Sequence, residues 1–438
     1  MNEFGFGYHS SEPDFASFSE GGSASLGPYI PEARDCISCG VCIGSCPTYK
    51  ARAEEDYGPR GRVRMIERVL RKNDVLSEDE REALAACTLC RACETVCPSK
   101  MDYHGLYAQA METIEFSPKG GSVIKLLLDQ VAERRRVQRA LSTLIHFYQR
   151  SGMQRIFNRL PISPLKGDFQ QLEKLLPVPH VAQPVPDYTR ALSSENRGEV
   201  ALFTGCVANI LDSQTHNATI QLATRLGYDV RVLRNQTCCG AIYAHNGDME
   251  RARECARKNI DTMVESGVDS IIYNSSGCGA FLSEYPALLN NGESGGVTEK
   301  ALQTIDLMEF LAGSEGLGTL EYRELKAKVA VHEPCSQRNV LKNHEVLYGL
   351  LNNIPGLEVV SLPGNSMCCG AGGTKMVTQP ELSDPPRDEK VSALVASGAD
   401  MLVSTNLTCA LHLSSGIREA GHEIEVMHPV QMMARQLI

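Results

Sequence analysis

The sequence predicts an α+β multidomain chain: a helical module carrying two cysteine runs, followed by two tandem α/β repeats, each built around a Cys-Cys-Gly (CCG) signature. Three observations lead there. Four cysteines spaced C-x2-C-x2-C-x3-C and closed by proline occur twice between Cys36 and Pro98, separated by a helix-patterned spacer. Cysteines in the second half recur at an offset of 129 to 131 residues, the mark of an internal duplication. Each copy alternates strand-like and helix-like stretches, as a parallel sheet with helical crossovers requires.

A chain of 438 residues exceeds one ordinary core, so two to four domains are expected. Its net charge of -10 argues against a nucleic-acid partner, because such binding draws mostly on neutralising phosphates. Seventeen cysteines with no signal-peptide pattern point to reduced thiols kept for metal, and so to a cytoplasmic protein. Residues 1–30, with Gly-Gly-Ser-Ala-Ser at 21–25, read as a flexible tail. No stretch reaches the roughly 18 apolar residues of a membrane span, so no transmembrane segment is expected and any membrane contact would be peripheral, on the inner face.

Residues 31–115 form the first expected domain. The runs are Cys36, Cys39, Cys42, Cys46-Pro47 and Cys87, Cys90, Cys93, Cys97-Pro98. In such a run three thiolates hold one iron–sulfur cube, and the fourth, beside the proline, reaches the other. Zinc also uses C-x-x-C, but its second ligand pair usually stands about a dozen or more residues away, whereas here four cysteines fall within eleven residues. With the fourth ligands crossed, Cys36, Cys39, Cys42 and Cys97 hold one [4Fe-4S] cluster, and Cys87, Cys90, Cys93 and Cys46 hold the second. In the spacer, Val63, Ile66 and Leu70 repeat at helical spacing, and Ser77-Glu-Asp-Glu80 spells a capping box for the helix that delivers Cys87. Arg60, Arg62 and Arg64 either offset cluster charge or form a solvated face.

Residues 116–195 read as basic helices and a linker. Lys119, Lys125, Arg134, Arg135, Arg136, Arg139, Arg150, Arg155 and Arg159 face only Asp129 and Glu133, with Leu126–Leu128, Leu141, Leu144, Ile145 and Phe147 interleaved. Such a stripe suits anionic lipid or an acidic partner, but an amphipathic helix pair packed on its own domain is the commoner arrangement. Six prolines between Pro161 and Pro186 mark the linker.

The repeats are assigned to 196–318 and 319–438. The first carries Cys206, Cys238-Cys239-Gly240 and Cys278; the second carries Cys335, Cys368-Cys369-Gly370 and Cys409. Strands are expected at 199–203, 229–233 and 270–274, with helices at 214–226 and 249–265, and again strands at 328–332, 357–362 and 401–405. Every repeat cysteine named here then sits in a loop past the carboxyl end of a strand, where open α/β sheets place ligands. Cys255, inside a helix, reads as a structural thiol. His245 and His332 stand near the cysteines and could ligate metal, although a histidine satisfied by backbone is the commoner case.

These motifs resemble the glycolate oxidase iron–sulfur subunits and their relatives: the lactate-utilisation protein, the iron–sulfur component of anaerobic glycerol-3-phosphate dehydrogenase, and the CCG subunits of heterodisulfide reductase. The phrases Gly58-Pro-Arg-Gly-Arg62, Cys238-Cys-Gly-Ala241, Ser276-Gly-Cys-Gly-Ala-Phe281 and Cys368-Cys-Gly-Ala-Gly372 carry the likeness. The first half is similar to the α-helical ferredoxin module of fumarate reductase and succinate dehydrogenase. The resemblance implies an electron-transfer subunit of a 2-hydroxy-acid complex, most simply one acting on glycolate, with D-lactate, glycerol 3-phosphate or a thiol/disulfide reaction as alternatives. An FAD-containing dehydrogenase subunit would take the hydride, and electrons would pass toward a membrane quinone pool. One or two further iron–sulfur clusters, or a zinc, would occupy the repeats. No G-x-G-x-x-G follows a strand and no acid–base constellation stands out, so no catalytic residue is assigned and the chain is not expected to act alone. The heterodisulfide relatives end each repeat in C-x-x-C; here Ser275 and Asn406 hold the upstream position, so their five-cysteine cluster does not carry over.

Overall fold

The computed structural model describes residues 35–72, 74–114, 134–151, 166–177, 184–289 and 303–438. The tail at 1–30, the basic residues 119–133, Arg155 and Arg159, and most of the proline linker lie outside them.

The first module is built of helices joined by loops, with no strand among its described residues. Its spacer helix runs Pro59–Lys72 and buries Val63, Ile66 and Leu70, as the periodicity predicts. Ile66, Leu84 and Leu106 are fully covered at the centre of this module. The capping box is present: Ser77 Oγ accepts from Glu80 N at 3.2 Å, and Glu80 Oε2 accepts from Ser77 N at 2.9 Å, starting the helix Glu78–Ala85. The three spacer arginines divide. Arg64 is exposed, Arg60 is half-buried, and Arg62 is turned fully inward.

Next, the helix Arg135–Arg150 packs on the short helix Val207–Leu211, with Ser142 Oγ donating to Ile210 O at 2.8 Å. Its other side leaves Leu144 and Phe147 each 62% exposed, so this part of the basic stripe is both packed and open.

The first repeat contains β1 (Tyr188–Thr189), β2 (Glu199–Phe203), β3 (Asp229–Val232), β4 (Ser270–Tyr273) and β5 (Thr304–Asp306) in the order β1-β3-β2-β4-β5, parallel except for β1. The second contains β6 (Ala327–His332), β7 (Leu357–Ser361), β8 (Met401–Ser404) and β9 (Glu425–Met427), all parallel, in the order β7-β6-β8-β9. The three central strands of each copy match the sequence expectation to within a residue at each end. Three edge strands, β1, β5 and β9, were not expected; at two or three residues they are too short to show a period.

In both sheets the central strand, β2 or β6, has neighbours reached in opposite directions. That is the switch point where a crevice opens past the strand ends. The two repeats also share one core: Leu202, Leu222, Val329, Leu351, Val403 and Met433 belong to a single buried cluster. The last helix, Pro429–Gln436, packs on Ser213–Arg225 of the first repeat, where Gln431 Nε2 donates to Thr215 Oγ1 at 2.7 Å. The crevices of the two copies therefore face each other.

Candidate metal centres

The two cysteine runs use the same backbone device. Ser38 and Gly40 in the first, and Leu89 and Arg91 in the second, hold left-handed φ values of 58°, 82°, 51° and 56°. This curls each run so that successive thiols face one hollow. Three of these residues carry a side chain, a strain that persists where surrounding structure over-determines it. One hollow is lined by Cys36, Cys39, Cys42, Cys93 and Cys97, together with Arg60. Arg60 is held there by Glu55, at 2.6 and 2.9 Å, and reaches Ser38 O at 3.3 Å. The other hollow is lined by Cys46, Cys87, Cys90 and Cys93, together with Arg62 and Tyr103. Each trio thus shares its hollow with the proline-flanked cysteine of the opposite run.

Arg62 is the buried cation of this region. It donates to Ala83 O at 2.9 Å and Thr48 Oγ1 at 3.0 Å, and its Nη1 lies 3.9 Å from Cys46 Sγ. Burial opposes its charge, but Cys87, Tyr103 and Cys46 around it more than offset that and hold it protonated. Burial pushes the Cys42 thiol up to about 11, with Cys36 adding to it, and raises Cys87 and Cys93 as well. Crowded thiols of this kind become thiolates together only when a cationic group replaces their protons, which is the condition an iron–sulfur cluster or zinc meets.

The eight repeat cysteines other than Cys255 line one common cavity of about 170 Å³, which also touches Leu89, Arg91, His104 and His245. In the first copy, hydrogen bonds from Cys206 and Cys239 hold the Cys238 thiol well below its ordinary range, while both partners are pushed up. In the second, Cys369 and Cys409 stand 2.9 Å apart, sulfur to sulfur. The CCG loop is the same in both: Gly240 N and Gly370 N each donate to the first cysteine's sulfur at 3.4 Å. Glycine is needed there, because φ is +101° and +88°, and a methyl group would meet Phe281 at 2.8 Å in one copy and Ser383 O at 2.2 Å in the other.

The second copy touches the first module directly. Cys90, Cys335 and Cys368 pack together, and hydrogen bonds shared with Cys368 push Cys90 and Cys335 up. Asn339 Nδ2 donates to Cys90 O at 2.7 Å across the same seam. A parallel seam joins the first copy, where Arg91 and His104 both meet Glu284, at 2.9 and 3.2 Å.

Several side chains at these sites escaped the sequence reading. Lys390, 3% exposed, donates to Gly364 O at 2.9 Å and stands near the second copy's cysteines; burial lowers its pKa. Lys375, 6% exposed, sits near Cys87, and burial lowers it to about 8. A signal existed for Lys390: it shares the buried stripe Leu382, Pro386, Val391 and Leu394 of the helix Pro380–Ser397. Of the singled-out residues, Cys255 is buried within the first repeat's core, and His245 lines the common cavity. Asn406 caps the helix Leu407–Glu419 and donates to Ser336 Oγ at 3.3 Å, while Ser276 N, next to Ser275, donates to Thr405 O at 3.0 Å. The Ser276–Thr405 bond, beside the two positions where the heterodisulfide pattern would put a further thiol, joins the repeats, whereas Asn406 bonds within the second one.

Comparison with known proteins agrees with this architecture. Residues 32–101 match the 4Fe-4S dicluster domain, and residues 200–283 and 329–414 each match the cysteine-rich (CCG) domain. The glycolate oxidase iron-sulfur subunit of Escherichia coli is 33% identical over 406 residues, covering 90% of this chain and 93% of that protein. A probable glycolate oxidase iron-sulfur subunit of Bacillus subtilis is 30% identical, covering 89% and 90%. Lactate utilization protein A 1 of Bacillus mycoides is 30% identical over 241 residues, 54% of this chain and 96% of its own length. With the first of these aligned over nearly the whole of both chains, this chain belongs to the glycolate oxidase iron–sulfur subunit family.

Proposed function

We propose that this chain is the iron–sulfur electron-transfer subunit of a complex that oxidises a 2-hydroxy acid, glycolate first among the candidates. Its partner is an FAD-containing dehydrogenase subunit that takes the hydride, and its acceptor is a quinone. Bound clusters supply one-electron chemistry; the chain supplies their ligands, their spacing and the exclusion of water. Cys36, Cys39, Cys42 and Cys97 hold one [4Fe-4S] cluster; Cys87, Cys90, Cys93 and Cys46 hold the other. Cys206, Cys238, Cys239 and Cys278, and Cys335, Cys368, Cys369 and Cys409, hold the metal groups of the two repeats.

The packing of Cys90 against Cys335 and Cys368 carries this reading, because it makes the thiols of the first module continuous with those of the second repeat. An electron arriving at either end then crosses no stretch of ligand-free protein. The buried cations Arg62, Lys375 and Lys390 stand along that line and compensate the negative charge of thiolate-ligated clusters. No described helix is long and apolar enough to cross a membrane.

The test is anaerobic reduction with glycolate, D-lactate and glycerol 3-phosphate, each with and without a co-purified flavoprotein. Cluster bleaching by glycolate only when the flavoprotein is present is expected. A chain that oxidises any of the three unaided contradicts the subunit assignment.

A further inference from the structure

The strands β2 and β6 are equivalent central strands, and their last residues differ in kind. Phe203 ends β2 and pairs with Tyr273 on β4; His332 ends β6 and pairs with Ser404 on β8. The same place in the sheet thus holds an aromatic pair in the first repeat and an imidazole–hydroxyl pair in the second. His332 is 1% exposed, and its Nδ1 lies 3.0 Å from Ser404 Oγ. A ligand atom of His332 and the sulfurs of Cys369 and Cys409 all lie within 4.8 Å of one another.

From this geometry we propose that His332 is a fifth protein donor to the metal group of the second repeat, which makes that centre chemically unlike its all-thiolate twin. The inference rests on reading Cys335, Cys368, Cys369 and Cys409 as metal ligands. Bonds of about 2.3 Å to sulfur and about 2.1 Å to nitrogen put two ligands of one ion at most about 4.4 Å apart. Donor atoms already within 4.8 Å therefore need to close only slightly. Ser404 engages Nδ1, which fixes the ring and leaves Nε2 as the ligating nitrogen, the usual way an outer partner orients a ligating histidine. A buried imidazole beside buried thiols gains most from a metal, because neither can be solvated there.

Of the two repeats, the one with the histidine is also the one whose Cys335 and Cys368 meet Cys90.

The experiment compares the anaerobic full chain with His332→Phe, which restores the first repeat's residue, and His332→Cys, which keeps a ligand but removes the nitrogen. Histidine is 15N-labelled in a natural-abundance background. If the second repeat holds a paramagnetic iron–sulfur centre, one strongly coupled 15N nucleus is expected in the wild type and absent in both variants, with the signals of the Cys36–Cys97 module unchanged. If it holds zinc, one nitrogen is expected in the zinc X-ray absorption shell and is lost in His332→Cys. A second-repeat centre with no nitrogen coupling, or an all-sulfur zinc shell, overturns the inference while leaving the subunit reading intact. Unchanged metal content when Cys368, Cys369 and Cys409 are all replaced by serine also overturns it, by showing the second repeat to be metal-free. Absence of iron and sulfide from the whole chain is the separate result that defeats the subunit reading. Should His332→Phe fail to fold, the wild type and His332→Cys decide the matter.

Discussion

A methyl group at Gly370 has nowhere to go, since its position lies 2.2 Å from Ser383 O and the backbone is left-handed at +88°. Gly370→Ala is expected to cost about 1–3 kcal/mol and to empty the second repeat of metal. Gly349, on the exposed side of the helix Val346–Leu351 with open space around it, should do the opposite: Gly349→Ala stabilises by about 0.5–1 kcal/mol. Denaturant midpoints and metal analysis of the pair separate strain from helix propensity. Asp306 offers a pH test. Burial raises its pKa from 3.8 to about 7 while it caps the helix Leu307–Gly313. A carboxyl raised on folding stabilises most below its unfolded pKa and loses that contribution as pH rises through the folded one. Stability should thus fall between about pH 4 and 7, and Asp306→Asn, which keeps an acceptor for Met308 N, should flatten that slope. At this scale the cysteines were legible because spacing alone groups them. The charge of Arg62 beside them was not: it is inward only because of which helix face packs, and that depends on neighbours far along the chain.

Elements with a period or a local stop signal were read well. The helix before Cys87 announces itself through Ser77 and Glu80, and Ser77→Ala should lower stability by about 1 kcal/mol in denaturant titration, because an N-terminal N–H loses its acceptor. An unchanged midpoint would show that packing, not the cap, sets that helix. Strands β2, β3, β4, β6, β7 and β8 were legible as short apolar stretches ending just before cysteines. Strands β1, β5 and β9 were not, because their extended form comes from pairing with a neighbour: Thr304–Asp306 is aligned by Ile271–Tyr273, not by its own sequence. The helix Pro380–Ser397 runs through Pro385 and Pro386, which sequence rules place at helix ends. Its inward face, with Leu382 in the core of the first module, holds it against that preference.

Across the whole molecule the duplication was visible but its assembly was not. The offset of the cysteines shows two copies; nothing in it says that they share one core or that both thiol sets open into one cavity. Those facts follow from apolar faces on Ser213–Arg225 and Pro429–Gln436, each of which reads by itself as an ordinary amphipathic helix. The crossed grouping of the first module predicts a long-range effect of one atom: Cys46→Ser should remove the cluster of Cys87, Cys90 and Cys93 and spare that of Cys36, Cys39 and Cys42. Low-temperature magnetic resonance of the reduced protein distinguishes the two. The most direct test of the central claim, that this chain is a continuous iron–sulfur conductor, is iron, sulfide and zinc analysis of the anaerobically purified full chain. About eight irons or more per chain, matched by acid-labile sulfide, is the predicted result; zinc as the main metal, with little sulfide, would contradict it.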